Sequence, residues 1–204
     1  TINYIKNHDN KVRAHLEMVY KTLTLSAKEA IYVITLLNNQ QVPRTLLKAL
    51  INSSTNLEEA ISEIAGLGLI TQIADDRNNM VFRMHDLLKN ELLDIIGREL
   101  NSQNVNSILD KVNEFMPLNQ TVPERYAIIS QPDIQSNLEV LIKNAEKYNG
   151  NIYKIMRVRD ILLDHYLKIA DWPNCQKMSE WLIEKEKLQA FTPTKMDNHE
   201  KARS

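Results

Sequence analysis

The chain has 204 residues, 43% of them apolar and 25% charged, with 25 Lys and Arg set against 26 Asp and Glu. That length holds one large domain or two small ones around a real core, and a net charge of −1 argues against nucleic-acid or membrane binding through bulk positive charge. The single cysteine, Cys175, leaves no internal disulfide and no Cys-rich zinc site, and it suits a reducing, cytoplasmic setting. No apolar run approaches the roughly 20 residues of a membrane helix, and no signal peptide is visible. The sequence opens at Thr1 without Met and so reads as a fragment.

Four glycines and six prolines leave long stretches without breakers, which predicts a mainly α-helical protein. Residues 1–25 form an N-terminal helical segment with Val12, Leu16, Val19 and Leu23 on one stripe. Ser26-Ala-Lys-Glu29 has the form of a capping box; behind it Ala27, Ala30, Ile31, Ile34 and Leu37 share a face until Asn38-Asn39. A short extended piece, Gln40–Pro43, precedes a helix from Arg44 to Asn52. Thr55-Asn-Leu-Glu58 is a second capping box, opening a helix with Leu57, Ile61, Ile64 and Ala65 inward that Gly66-Leu-Gly68 stops. Leu69–Ala74 and Met80–Met84, flanking Asp75-Asp-Arg-Asn-Asn79, predict a β-hairpin with a polar loop. From Asp86 the helical period returns with Leu88, Leu92, Ile95 and Leu100. Over residues 26–85 the order helix, strand, helix, helix, hairpin is that of a winged helix, and residues 26–100 are assigned to that domain.

Residues 101–187 read as helical throughout. Val105, Ile108, Leu109, Val112, Phe115 and Met116 make one stripe, stopped by Pro117. Leu138, Leu141, Ile142, Ala145 and Tyr148 make another, and Gly150 is expected to supply its left-handed cap. A helix over 152–170 points Ile155, Val158, Leu162, Tyr166 and Ile169 inward; after Ala170-Asp-Trp-Pro173 the next carries Cys175, Met178, Trp181 and Leu182. Leu163-x-x-Tyr166, Ala170-Asp171-Trp172 and the small Cys175 resemble a tetratricopeptide repeat. Ser179 stands where that pattern has a large side chain, and no second copy sets the period of about 34 residues. A plain helical hairpin is the alternative. Trp172 and Trp181 are expected in its core, and Lys154, Arg157 and Arg159 on a solvated face. Residues 188–204 read as a polar C-terminal tail.

Chemistry is sparse. A winged helix that reads DNA needs Arg, Lys, Asn or Gln facing the bases, yet the helix Leu57–Leu67 carries Glu58, Glu59 and Glu63 and no Lys or Arg. The wing loop sets Asp75 and Asp76 against Arg77 alone, so the module is read as a protein-packing version of the fold. Gly66, Gly68, Gly97 and Gly150 fit no Gly-x-x-x-x-Gly-Lys-Ser/Thr loop, so the chain is not expected to hydrolyse ATP alone. His8, His15, His165 and His199 lack metal-ligand spacing, and no catalytic or metal-binding residue is assigned. The many asparagines suggest no chemistry.

The distinctive residues are Met84-His85-Asp86-Leu87-Leu88, where a strand delivers His85 to the mouth of a new helix. Asp86 is expected to cap that helix, and an imidazole at a helix start can contact a phosphate. The residues alone favour a plain cap with a packed histidine, since the site has no second ligand in view. A winged helix ending in Met-His-Asp and followed by an amphipathic helix resembles the STAND-class nucleotide-switch ATPases that contain an NB-ARC region, over residues 12–100. The resemblance implies that His85 reaches the β-phosphate of ADP in a closed state, flanked by Met84 and Asp86. It also implies that the full-length protein carries ADP or ATP while this fragment holds no cofactor itself. The expected partners are an upstream nucleotide-binding domain and a protein or small ligand on the helical region, with no membrane and no DNA on this winged helix. Two rivals stand beside this reading: a helical scaffold without nucleotide, and a transcription regulator of the same ATPase class whose DNA-binding domain lies beyond Ser204.

Overall fold

The computed structural model describes residues 2–52, 54–74, 79–97, 101–116, 128–131 and 133–191. Helix α1 (Ile2–Thr22) is followed by α2 (Leu25–Leu36), strand β1 (Val42–Pro43), α3 (Arg44–Leu50) and α4 (Leu57–Gly66). Then come β2 (Thr71–Ala74), β3 (Met80–Arg83), α5 (Asp86–Ile96) and α6 (Ser102–Phe115). Helices α7 (Ile134–Lys147), α8 (Ile152–Lys168) and α9 (Trp172–Phe191) complete the described elements. The chain divides into two compact units, Thr1–Leu162 and Leu163–Ser204. It is mainly helical with one small antiparallel sheet, as composition predicts.

Helix α2 is the centre of the first unit because its apolar residues are not confined to one stripe. Ala27, Ala30, Ile31, Val33, Ile34 and Leu36 are all buried, and a helix apolar on most sides must be covered on most sides. It packs against α3, α4, α5 and α7. The hydroxyl of the buried Thr35 donates to the Tyr32 carbonyl at 2.9 Å and is thereby satisfied. The strand order is β1-β3-β2, with Val42 opposite Phe82 and Thr71 opposite Arg83. The element order is the expected helix, strand, helix, helix, hairpin, and β1 adds a third strand to the hairpin. Ala74 pairs with Met80, so residues 75–79 join the strands; the wing residues Asp75, Asp76 and Arg77 lie outside the described residues.

Both expected capping boxes are displaced. Thr24, not Ser26, caps α2, its hydroxyl accepting from Ala27 N–H at 3.2 Å. Glu29 instead accepts from Asn52 N–H at 2.8 Å and from the Thr55 hydroxyl, holding the connection between α3 and α4. Asn56, not Thr55, caps α4. Of the three α4 carboxylates, Glu63 accepts from the N–H and hydroxyl of Thr24 and Glu58 pairs with Arg44.

At the end of α7 the left-handed residue is Asn149 (φ 55°), not Gly150. Gly150 N–H donates to Ala145 O at 2.7 Å and Asn149 N–H to Glu146 O at 3.3 Å, a complete Schellman motif. Gly150 serves by close approach, since a Cβ there would meet Ala145 O at 3.0 Å. The expected solvated basic face of α8 is only partly so: Arg159 is buried against Glu146 at 2.8 Å, and Lys154 pairs with Asp110 at 2.5 Å.

In the second unit Tyr166, Cys175 and Met178 are buried, with the His165 and Tyr166 rings 5.9 Å apart. Two expected core residues are not in the core: Trp172 is 64% exposed and Ile169 44%. Both flank a tight turn in which Ala170 is left-handed at φ 57° and Asp171 N–H donates to Tyr166 O at 2.9 Å.

Candidate functional site

Met84, His85 and Asp86 lie where β3 runs into α5, as the sequence places them, but their roles are divided differently. Met84 is wholly buried. Its N–H donates to Asn39 O at 2.7 Å, and its own carbonyl accepts from the Asn39 amide at 2.8 Å. Met84 is thus an anchor, held in the core by its side chain and on both backbone faces by one asparagine.

His85, not Asp86, is the N-cap of α5, with extended backbone (φ −63°, ψ 139°) and Nδ1 accepting from Leu87 N–H at 3.2 Å. A ring nitrogen that accepts carries no proton, so the neutral imidazole bears its proton on Nε2. His85 is exposed. The cap therefore fixes the ring by one nitrogen and leaves the other as a donor at a helix start, where the backbone dipole also favours negative charge.

Asp86 is freed from capping because its carboxylate is taken by the chain on the other side. Its Oδ1 accepts from the Asn39 amide at 2.6 Å and the Gln40 amide at 3.0 Å. These two bonds, Asn39 first, hold its carboxyl below the usual carboxylate range. Lys89, one turn on, donates to Leu37 O at 2.5 Å; burial lowers its pKa and the Asp86 charge opposes that shift.

The other partners of the site come from the turn after α2, residues 37–41, which the sequence reads only as a helix stop. That turn is also gripped from α7. Asn137, wholly buried, accepts from Asn38 N–H at 3.0 Å and donates to Gln41 O at 2.7 Å. Asn144 donates to Leu36 O at 2.9 Å. The last carbonyls of α2, orphaned by the end of the helix, are thus satisfied by Lys89 on one side and Asn144 on the other. Asn39, Asn137 and Asn144 are the residues that sequence reasoning missed. The doubled Asn38-Asn39 at a helix end was the available signal.

A cleft of about 390 Å³ opens beside the motif, lined by Gly68, Thr71, Arg83, His85, Asp86 and Leu88 among others. Arg83 is exposed, and its Nε donates to Gln40 O at 3.0 Å, leaving the terminal guanidinium nitrogens for other acceptors. Arg83 and His85 give the cleft an edge of hydrogen-bond donors that fits a phosphate oxygen. Asp86 also lines the cleft, but its Oδ1 is engaged with the Asn39 and Gln40 amides. Among the described residues, no group of three or more His, Cys, Asp or Glu gathers to hold a metal ion, and no helix is long and apolar enough to cross a membrane. Comparison with known proteins finds no matching family model, no matching curated protein and no matching solved structure.

Proposed function

We propose that this chain is the regulatory winged-helix part of a cytoplasmic STAND-class nucleotide switch, followed by a helical region that receives a protein or small ligand. The chain is non-catalytic in this reading; a P-loop domain upstream supplies the nucleotide site. The observation that carries it is the divided imidazole of His85, with Nδ1 spent on Leu87 N–H and Nε2 left as a donor on an exposed side chain beside Arg83. Toward bound ADP, His85 would donate from Nε2 to a phosphate oxygen, and Arg83 would offset phosphate charge. Met84 and Asp86 position that histidine through Asn39. An opening signal must favour the open state over the closed one, because equal affinity for both shifts nothing.

The test is ADP release from the protein carrying its upstream domain. A hydrogen bond to a charged group contributes roughly 1.5–3 kcal/mol, so His85→Ala is expected to speed release by about tenfold or more and to raise basal activity. Unchanged release, or an upstream sequence without a P-loop, sinks the proposal. A nucleotide-free interaction scaffold is then the better reading. It is favoured by the exposed Leu167, Ile169, Trp172 and Ile183 on α8, α9 and the turn between them.

A further inference from the structure

The turn after α2 is a run of four carboxamide residues, Asn38-Asn39-Gln40-Gln41, and its bonds sort by position. Asn38 and Gln41 hold α7. Asn38 N–H donates to the Asn137 side-chain oxygen at 3.0 Å, and the Asn38 amide donates to the Ser136 hydroxyl at 3.2 Å. Gln41 O accepts from the Asn137 amide at 2.7 Å, and the Gln41 carboxamide meets the Asp133 carboxylate. Asn39 and Gln40 hold β3 and α5 instead. Asn39 O accepts from Met84 N–H at 2.7 Å, and the Asn39 amide donates to Met84 O and to Asp86. Gln40 O accepts from Arg83 Nε at 3.0 Å, and the Gln40 amide donates to Asp86 at 3.0 Å.

The outer pair and the inner pair of one turn thus grip different elements, and Gln41 N–H, donating to Asn38 O at 3.3 Å, ties the outer pair together. Both grips are polar, which decides how a displacement travels. Apolar contacts are non-directional and let packed elements slide. A hydrogen bond weakens steeply once its length or angle leaves a narrow range. Asn137 is wholly buried and Asn39 is 7% exposed, so a displaced α7 that left these amides behind would strand buried polar atoms. The turn therefore follows α7 or releases it. It cannot follow without moving Asn39 and Gln40, which hold Met84 and Asp86, the residues on either side of His85.

We infer that this amide run is a two-sided coupling between α7 and the start of α5: a shift of α7 loosens the seat of His85, and a change at Asp86 loosens the hold on α7. The coupling is a property of the chain alone. Its use, relaying a signal from the helical region to a nucleotide at His85, rests on the function proposed above. Coupling between two sites is reciprocal, so it can be read from either side.

The experiment is backbone hydrogen exchange on the 204-residue chain without nucleotide, each rate taken relative to Ile31 N–H in the interior of α2. Asn137→Ala cuts the α7 side, and the probe is Met84 N–H on the other. Asp86→Ala cuts the α5 side at an exposed residue, and the probe is Asn38 N–H. This second variant keeps the test decisive if Asn137→Ala does not fold. In each folded variant the far-side N–H is expected to exchange at least about fivefold faster than in the parent. Ile155→Val, a conservative change on the buried face of α8, is expected to leave both ratios within about twofold. A smaller far-side change in either folded variant, or an equal one in Ile155→Val, overturns the coupling. Neither result touches the nucleotide reading, which stands or falls on ADP release from His85→Ala.

Discussion

The turn that ends α2 and the turn that ends α8 solve one problem in opposite ways. Each must satisfy carbonyls left without intrahelical donors. After α2 the donors arrive from far along the chain, Lys89 to Leu37 O and Asn144 to Leu36 O, and Asn39 returns bonds to Met84 and Asp86. After α8 the turn serves itself: Asp171 N–H donates to Tyr166 O at 2.9 Å and Ala170 N–H to Leu167 O at 3.3 Å. The first turn is a junction, since moving it disturbs α5 and α7 together. The second is a local fold of the backbone, and a change there stays local. The nucleotide switch proposed above would need the first kind to pass a signal to its helical region.

The sharpest way to break this contrast is Asn39→Ala. It strips the Met84 carbonyl and the Asp86 carboxylate of a shared donor, and the buried carbonyl alone is expected to destabilise the chain by about 2 kcal/mol, read as a lower urea midpoint. A loss under about 1 kcal/mol would mean that the junction is held by packing alone. At the other turn the effect should be smaller and opposite in sign. Ala170 occupies the left-handed region, where a Cβ is unfavourable by roughly 1–2 kcal/mol and glycine is not, so Ala170→Gly should stabilise by up to about 1 kcal/mol after its own entropy cost. Destabilisation by that variant would show that the Ala170 methyl contributes packing.

The smallest expected effect concerns pH in the second unit. Burial holds His165 below the usual histidine range, and the Asp171 charge opposes that shift. A group whose folded pKa is depressed adds stability above its unfolded pKa and loses it as pH falls. The thermal midpoint should therefore decline between roughly pH 7 and pH 5. His165→Gln should flatten that decline, and an unchanged slope would assign it to other groups.

Much of the scaffold is legible in the sequence because its causes are local. The apolar density of α2, the glycines at the end of α4 and the strand pair around residues 75–79 each announce themselves within a short window. What is not legible depends on partners far along the chain. Ser26 and Glu29 have the spacing of a cap, yet Glu29 is drawn off by Asn52 and Thr55, and Thr24 takes the capping role with support from Glu63. The same holds at the site. Asp86 looks like a cap until Asn39 and Gln40 claim its carboxylate, and the cap passes to His85. Trp172 misleads for another reason: size and apolarity argue for burial, yet at the first position of α9 it stands 64% exposed.

The Asn149-Gly150 pair at the end of α7 bears on the chemical ageing of the protein. An Asn-Gly bond degrades when the glycine nitrogen attacks the asparagine side-chain carbonyl and closes a succinimide ring. Here that nitrogen is occupied, its hydrogen given to Ala145 O at 2.7 Å, and Asn149 is held at φ 55° by the same motif. The folded chain thus shields a bond that its unfolded form would lose first, and deamidation at Asn149 becomes a clock for how often α7 frays.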